Sequence, residues 1–451
     1  MALSSFSHGI CMTEPICFRQ ALTCSFSRPE HILKALSALN HVVYLNHQQQ
    51  PIIGCFAHSY LLIENQQQKI YQQTQFNTYQ ARNFENSFAD FFSEFQKNSH
   101  HKLMGFISYD YAAQQAIHLQ AKNQPALFLG CFSSYLIFEN EQWIFESYSA
   151  YAQQEFDFLQ QQCHAQNNAQ FYLTQKAQAR WNREQYQHAF DQIQAYIRAG
   201  DCYQINLTQE FTAKAHGLLA NTCDAFWQLT NAPYSGYLRV DDFELLSCSP
   251  ELFIDFQAHR QIVTKPIKGT MPRFHDPILD EQSKQKLKLS EKDQAENLMI
   301  VDLLRNDFGV DAEIGSVKTS KLFEIESFNQ VHHLVSEIRA TLKPQQNPLE
   351  VLLRALPGGS ITGAPKIRAM QIIDELEHAP RGAYCGSMGY FNADGTGCWN
   401  ILIRSIQKYQ EDISLWAGGG ITIASNSDAE YQECFDKISA MIELLNQFTI
   451  Q

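Results

Sequence analysis

Lys268 sits in the run Lys265-Pro-Ile-Lys-Gly-Thr270. Proline stiffens the approach and glycine permits a sharp turn, so the lysine between them is held at a strand exit. An ammonium fixed there could lose hydration, lower its pKa and become a nucleophile near neutral pH. On its own the run reads more readily as a solvated surface lysine. Glu251, in Ser249-Pro-Glu-Leu-Phe253, stands at a proline-marked break between two apolar stretches. A carboxyl half-buried there can hold its proton and act as a general acid, while a turn carboxylate facing water fits equally well.

Two acidic pairs share one spacing. Asp293 and Glu296 are three residues apart, as are Glu430 and Glu433, with Lys437 four beyond Glu433. Each pair falls on one helix face. Two such ridges could converge on a hard cation, although a solvated face is the ordinary fate of either. Glycine-rich Pro357-Gly-Gly-Ser-Ile-Thr-Gly-Ala-Pro-Lys366 could offer backbone N–H groups to an anion, with Pro365 in the first turn of a following helix. It lacks the Gly-Lys-Ser/Thr ending of a P-loop. Gly418–Gly420 would lie between two strands and let a ligand approach the backbone. Arg404 closes the apolar run Asn400-Ile-Leu-Ile-Arg404. An inward guanidinium there needs an anionic partner, either a substrate carboxylate or a structural salt bridge.

These groups need elements to hold them. The spacing of Tyr186, Phe190, Ile193 and Ile197 predicts a helix over 182–198 that Gly200 can end. Further helices are expected over 290–304, 366–376 and 428–445. Strands are expected over 60–64, 127–132, 203–211, 244–247, 252–256, 261–267, 386–391, 400–407, 413–417 and 421–424. Strands and helices in irregular order point to an α+β fold with antiparallel sheets. Composition shifts near residue 180, dividing an N-terminal region (1–170), with Gln runs at 48–50, 66–68 and 160–162, from a catalytic region (180–445).

At 451 residues, 45% hydrophobic and 18% charged, the chain has the makings of a globular protein with a large core. A formal net charge of -13 argues against a nucleic-acid partner, and any anionic substrate must be held by a few local cations. Twelve cysteines without a CxxC pair read as reduced thiols of a cytoplasmic protein. No basic-then-apolar leader opens the sequence, and no stretch approaches the roughly 18 apolar residues of a membrane helix.

Over about 180–445 these segments resemble, in unbroken order, the chorismate-utilising enzyme family, which includes anthranilate, aminodeoxychorismate, isochorismate and salicylate synthases. The motifs are GDCYQINL, SPELF, PIKGT, AENLMIVDLLRND, VHHLVS, PGGSITGAPK, RGAYCGSMGY, AGGGI and EYQECFDK. Upstream, Met104-Gly-Phe-Ile-Ser-Tyr-Asp110 is similar more loosely. The resemblance implies two packed antiparallel sheets flanked by helices, the fold of anthranilate synthase component I. Gln204 stands where the water-activating members carry lysine, and Lys268 stands where anthranilate synthases carry alanine, as aminodeoxychorismate-forming members do. That implies amination of chorismate at C4 to 4-amino-4-deoxychorismate, for para-aminobenzoate and folate synthesis. In this picture Mg²⁺ is held by Glu296 and Glu433 with Asp293 and Glu430 behind them. Arg404, Tyr384 and Lys437 grip the pyruvyl carboxylate, Gly419 and Gly420 complete the cradle, and Thr270 and His333 line the ring.

None of the cysteines has the Gly-x-Cys-x-Gly setting of a glutaminase nucleophile, so a partner glutaminase is implied as the ammonia source. Two departures stand out. Cys398 and Trp399 fill a stretch where the family often has an acidic residue. Leu45-Asn-His-Gln48 replaces a Leu-Leu-x-Ser-like element of tryptophan-binding relatives, which argues against tryptophan binding. The rival readings are an anthranilate synthase component I and a non-catalytic chorismate-binding regulatory subunit.

Overall fold

A computed structural model describes residues 17–24, 26, 28–47, 50–165, 170–327 and 331–449. The leader reading rests on residues 1–16, and part of the first Gln run on Gln48 and Gln49. Both lie outside the described residues.

Helix ends follow local chemistry. Asn182 caps Arg183–Ala199 in a reciprocal box with Gln185, and Gly200 closes it at φ 85°. Ser290 accepts from the Asp293 N–H to start Glu291–Asp311. Pro365 lies one position outside the expected first turn, as the residue preceding Lys366–Glu377. The expected closing helix is two, Ser427–Asp436 and Ser439–Gln447, interrupted at Lys437 and Ile438.

Strand pairing builds two antiparallel sheets. In the first, Gln204–His216 lies between Tyr172–Ala179 and Asp412–Ile421. The order then runs through Ser405–Tyr409, Phe243–Ser249 and Tyr234–Val240 to His41–His47. In the second, Val331–Thr341 pairs with Gln261–Lys265, and Leu252–Phe256 follows. Gly397–Asn400, Ser387–Asn392 and Lys102–Ile107 continue the sheet.

Two long strands, Gln50–Glu64 and Leu127–Glu139, serve both sheets. Gln50–Glu64 joins His41–His47 by its first half and Gln67–Gln75 by its second, with register shifts between Gly54 and Ser59. Strands from before and after residue 180 therefore pair directly.

Alternation along the strands assigns each face. Val43, Leu45, Leu238 and Leu245 point to Met104, Phe106, Phe128 and Met388 of the other sheet. Val42, Tyr44 and Leu246 point outward to Trp227 and Leu445 on the covering helices. Each such side chain contributes about 1.5–3 kcal/mol on full burial. The result is a two-sheet sandwich flanked by helices, an α+β architecture. No described helix is long and apolar enough to cross a membrane.

Candidate active site

The site forms where strands leave one sheet for the other. Phe243–Ser249 ends at Pro250, and the chain resumes in the second sheet as Leu252–Phe256. Its antiparallel neighbour breaks at the same level. Gly397–Asn400 belongs to the second sheet and Ser405–Tyr409 to the first, so the single strand expected over 400–407 is interrupted.

Arg404 turns the chain at φ 50°, a strained left-handed conformation for a residue with a side chain. Three bonds stitch the gap. The Ser249 hydroxyl donates to the Ile401 carbonyl at 2.6 Å, Ile401 N–H to the Glu251 carbonyl at 3.2 Å, and Cys248 N–H to the Arg404 carbonyl at 3.1 Å. Glu251 and Arg404 thereby face one space from facing breaks.

Lys268 arrives by a third irregularity. In the short strand Ile267–Pro272, Ile267 pairs with Val335 but Thr270 with His333, so one extra residue is accommodated. That is a β-bulge, and Gly269 sits in it at φ 85°. Lys268 is thus inside a bulged strand rather than at its exit. A side chain on Gly269 would place Cβ 2.9 Å from Asp293 Cγ, so the glycine also admits the acidic helix.

The wall opposite is the continuous strand Asp412–Ile421, which runs through Gly418–Gly420 where a break between two strands was expected. The glycines serve close approach there. A Cβ on Gly418 would stand 2.0 Å from the Leu207 carbonyl, and one on Gly420 2.7 Å from Gln204 Nε2.

Between these walls is a cavity of about 580 Å³. Lys268, Glu251, Thr270 and His333 line it together with Tyr384 and Arg404. Gly419, Gly420 and Lys437 border it, as do the four acidic residues Asp293, Glu296, Glu430 and Glu433. All thirteen residues singled out from sequence meet in this one space. Asn206, Ser360 and Trp416 line it too and were missed. Asn206 falls inside the GDCYQINL motif and Ser360 inside the glycine-rich loop, but neither type announces a role. Tyr384 stacks on Trp416, with ring centres 5.9 Å apart and 13° between planes.

Electrostatics differ sharply across the cavity. Burial pushes Glu251 up to about 7, against the pull of the Lys268 charge, so it carries a proton into the neutral range. Lys268 departs from the expected lowering. Burial pulls its pKa down, but Glu296 at 3.0 Å, with Glu433 and Glu430 beyond, outweighs burial and raises it. Burial brings His333 down to about 4, helped by the Arg404 charge, which leaves a neutral imidazole; its Nδ1 lies 2.9 Å from the Thr270 hydroxyl. Burial also lowers Arg404, whose guanidinium makes no ion pair or side-chain hydrogen bond among the described residues. A guanidinium left so, facing a cavity, is prepared for an anion.

The acidic residues fit a hard cation in kind, being oxygen donors only. Gly419 makes room for them, since a Cβ there would come 3.0 Å from Glu430 Oε2 and 3.1 Å from Glu433 Oε1. As the side chains stand, no group of three His, Cys, Asp or Glu among the described residues is placed to hold a metal ion. Lys268 engages Glu296, while Lys437 engages Glu433 at 2.5 Å and the Gly418 carbonyl at 2.8 Å.

The family model for chorismate binding enzymes matches residues 40–443. The chain belongs to that family. Aminodeoxychorismate synthase component 1 of Klebsiella aerogenes is 49% identical over 280 residues, 61% of each protein's length. The protein of the same name from Salmonella typhimurium is 44% identical over 322 residues, 71% of this chain and 70% of the relative. The match therefore spans under two thirds of the Klebsiella relative. In fold, the chain is similar to the crystal structure of anthranilate synthase component I from Streptococcus pneumoniae, with TM-score 0.75 and 24% identity over 87% of this chain and 92% of that one.

The described residues of the two departures from the family pattern lie off the cavity. Cys398 pairs opposite Asp255 and Tyr390 in the second sheet, and Trp399 is fully buried against Phe391, so both are packing residues here. His47 is wedged against Tyr234 and Tyr390, and Gln48 falls outside the described residues.

Proposed function

We propose that this chain aminates chorismate at C4, with ammonia from a separate glutaminase, to give 4-amino-4-deoxychorismate. The observation that carries the reading is that Lys268 and Glu251, whose pKa burial raises to about 7, line one cavity together with Arg404. The relatives' printed names support the same activity.

Arg404 takes the pyruvyl carboxylate, with Tyr384 and Lys437 beside it, and the backbone of Gly419 and Gly420 closes the cradle. Thr270 and His333 border the ring, His333 as a neutral imidazole. Mg²⁺ would be held by Glu296 and Glu433, backed by Asp293 and Glu430, and when bound would supply positive charge to the ring carboxylate. Lys268, once deprotonated, adds its Nζ to the ring as Glu251 gives its proton to the departing C4 hydroxyl, which leaves as water. Ammonia then bonds to C4 and the lysine amine is expelled. Splitting one displacement into two lowers each barrier. The enolpyruvyl group stays on the product.

The deciding experiment is product identification after incubation with chorismate, Mg²⁺ and ammonium. The reading expects 4-amino-4-deoxychorismate without pyruvate. Anthranilate with stoichiometric pyruvate would overturn it.

A further inference from the structure

We propose that Lys292 is a substrate-recruiting residue, an exposed ammonium at the cavity mouth that draws the doubly negative substrate past the acidic helices. The inference rests on the cavity taking chorismate, as argued above.

Six carboxyl residues line the cavity, Asp436 among them, against the four cations Lys268, Lys292, Arg404 and Lys437. The chain as a whole carries -13. A dianion approaching this opening meets repulsion at long range and at short range. Three of the cations are poorly placed to offset it. Lys268 is tied to Glu296 with its side chain only 20% exposed. Lys437 is tied to Glu433 and the Gly418 carbonyl. Arg404 sits inside, at the strand break.

Lys292 differs in each respect. Its side chain is 65% exposed, and its Nζ is 3.9 Å from Glu296, too far for a hydrogen bond. It lines the same cavity as Glu430 and Glu433 of the facing helix, and its charge is felt by both. A plain helix-surface pair with Glu296 would be worth little and would not need to border the cavity.

One unit charge acting on a dianion at about 8 Å through a largely aqueous path corresponds to about sixfold in encounter affinity before screening and about threefold at roughly 0.05 M salt. The test is steady-state kinetics on wild type, Lys292→Gln and Lys292→Arg at roughly 0.05 M and 0.5 M salt, with chorismate binding followed by the fluorescence of Trp416 in the cavity wall. Lys292→Gln should lose about threefold in kcat/KM at low salt, with kcat unchanged. The gap should shrink at high salt, and Lys292→Arg should close it. A Lys292→Gln enzyme equal to wild type at low salt would overturn the inference, as would a loss that salt leaves unchanged or one that falls on kcat. A wild-type chain that neither binds nor consumes chorismate would overturn the functional reading and this inference together, whereas normal wild-type turnover with an unaffected Lys292→Gln overturns the inference alone.

Discussion

An ammonium 3.0 Å from Glu296 is a poor nucleophile, so the proposed chemistry requires that pair to part once the cleft is loaded. Glu251 sets the opposite condition. Its pKa near 7 means the acid form is present below that pH and is lost as pH rises through it. A pH profile of kcat/KM should therefore fall above about 7 on this group. Glu251→Gln should remove that limb and cost about 10²–10⁴ in rate. Lys268→Ala should slow amination by about a thousandfold or more while chorismate binding stays within a few-fold, measured by single turnover and by titration. Type and setting raised both residues as candidates, but on its own run Lys268 read more readily as a surface lysine, and only the family resemblance turned that reading around. The direction of the Lys268 shift could not be read from the sequence, because it depends on carboxylates from two helices distant in sequence, one carrying the motif AENLM and the other EYQECF.

At the scale of elements, irregularities do the positioning. The bulge at Lys268 and Gly269, the break after Ser249 and the left-handed turn at Arg404 each aim one functional side chain into the cavity. Where local chemistry dominates, the sequence was legible. The apolar spacing from Tyr186 to Ile197 and the stop at Gly200 mark the helix Arg183–Ala199 almost to the residue. The interruption between Asn400 and Ser405 was not, since Ile401-Leu-Ile403 has every local preference for a strand and only the switch of sheet ends it. Gly418–Gly420 misled in the other direction, because glycine marks a close approach as readily as a turn. Gly419→Ala should crowd Glu430 and Glu433, raising the Mg²⁺ concentration for half activity with little change in melting temperature. Glu433→Gln should raise it by at least about tenfold. An unchanged metal titration in both variants would remove the closing helix as a ligand source.

Across the whole molecule, Gln50–Glu64 and Leu127–Glu139 join the two sheets along one side, and the crossing at Ser249–Leu252 and Asn400–Ser405 joins them again at the cavity. The site is thus supported by both layers, with residues from 206 to 438 on its walls. That arrangement is why spacing along the chain gave candidates but not their convergence, which required the family resemblance. It also frames the ammonia supply. The isolated chain should turn over chorismate with ammonium and fail with glutamine until a glutaminase is added, a contrast that a coupled assay reads directly.

The central claim is that Lys268 bonds to the ring. Mass spectrometry of the protein quenched during turnover tests this most directly. A chorismate-derived adduct should appear on the peptide carrying Lys268, absent without chorismate and absent in Lys268→Ala. Full turnover with that peptide never modified, together with an unimpaired Lys268→Ala, would contradict it.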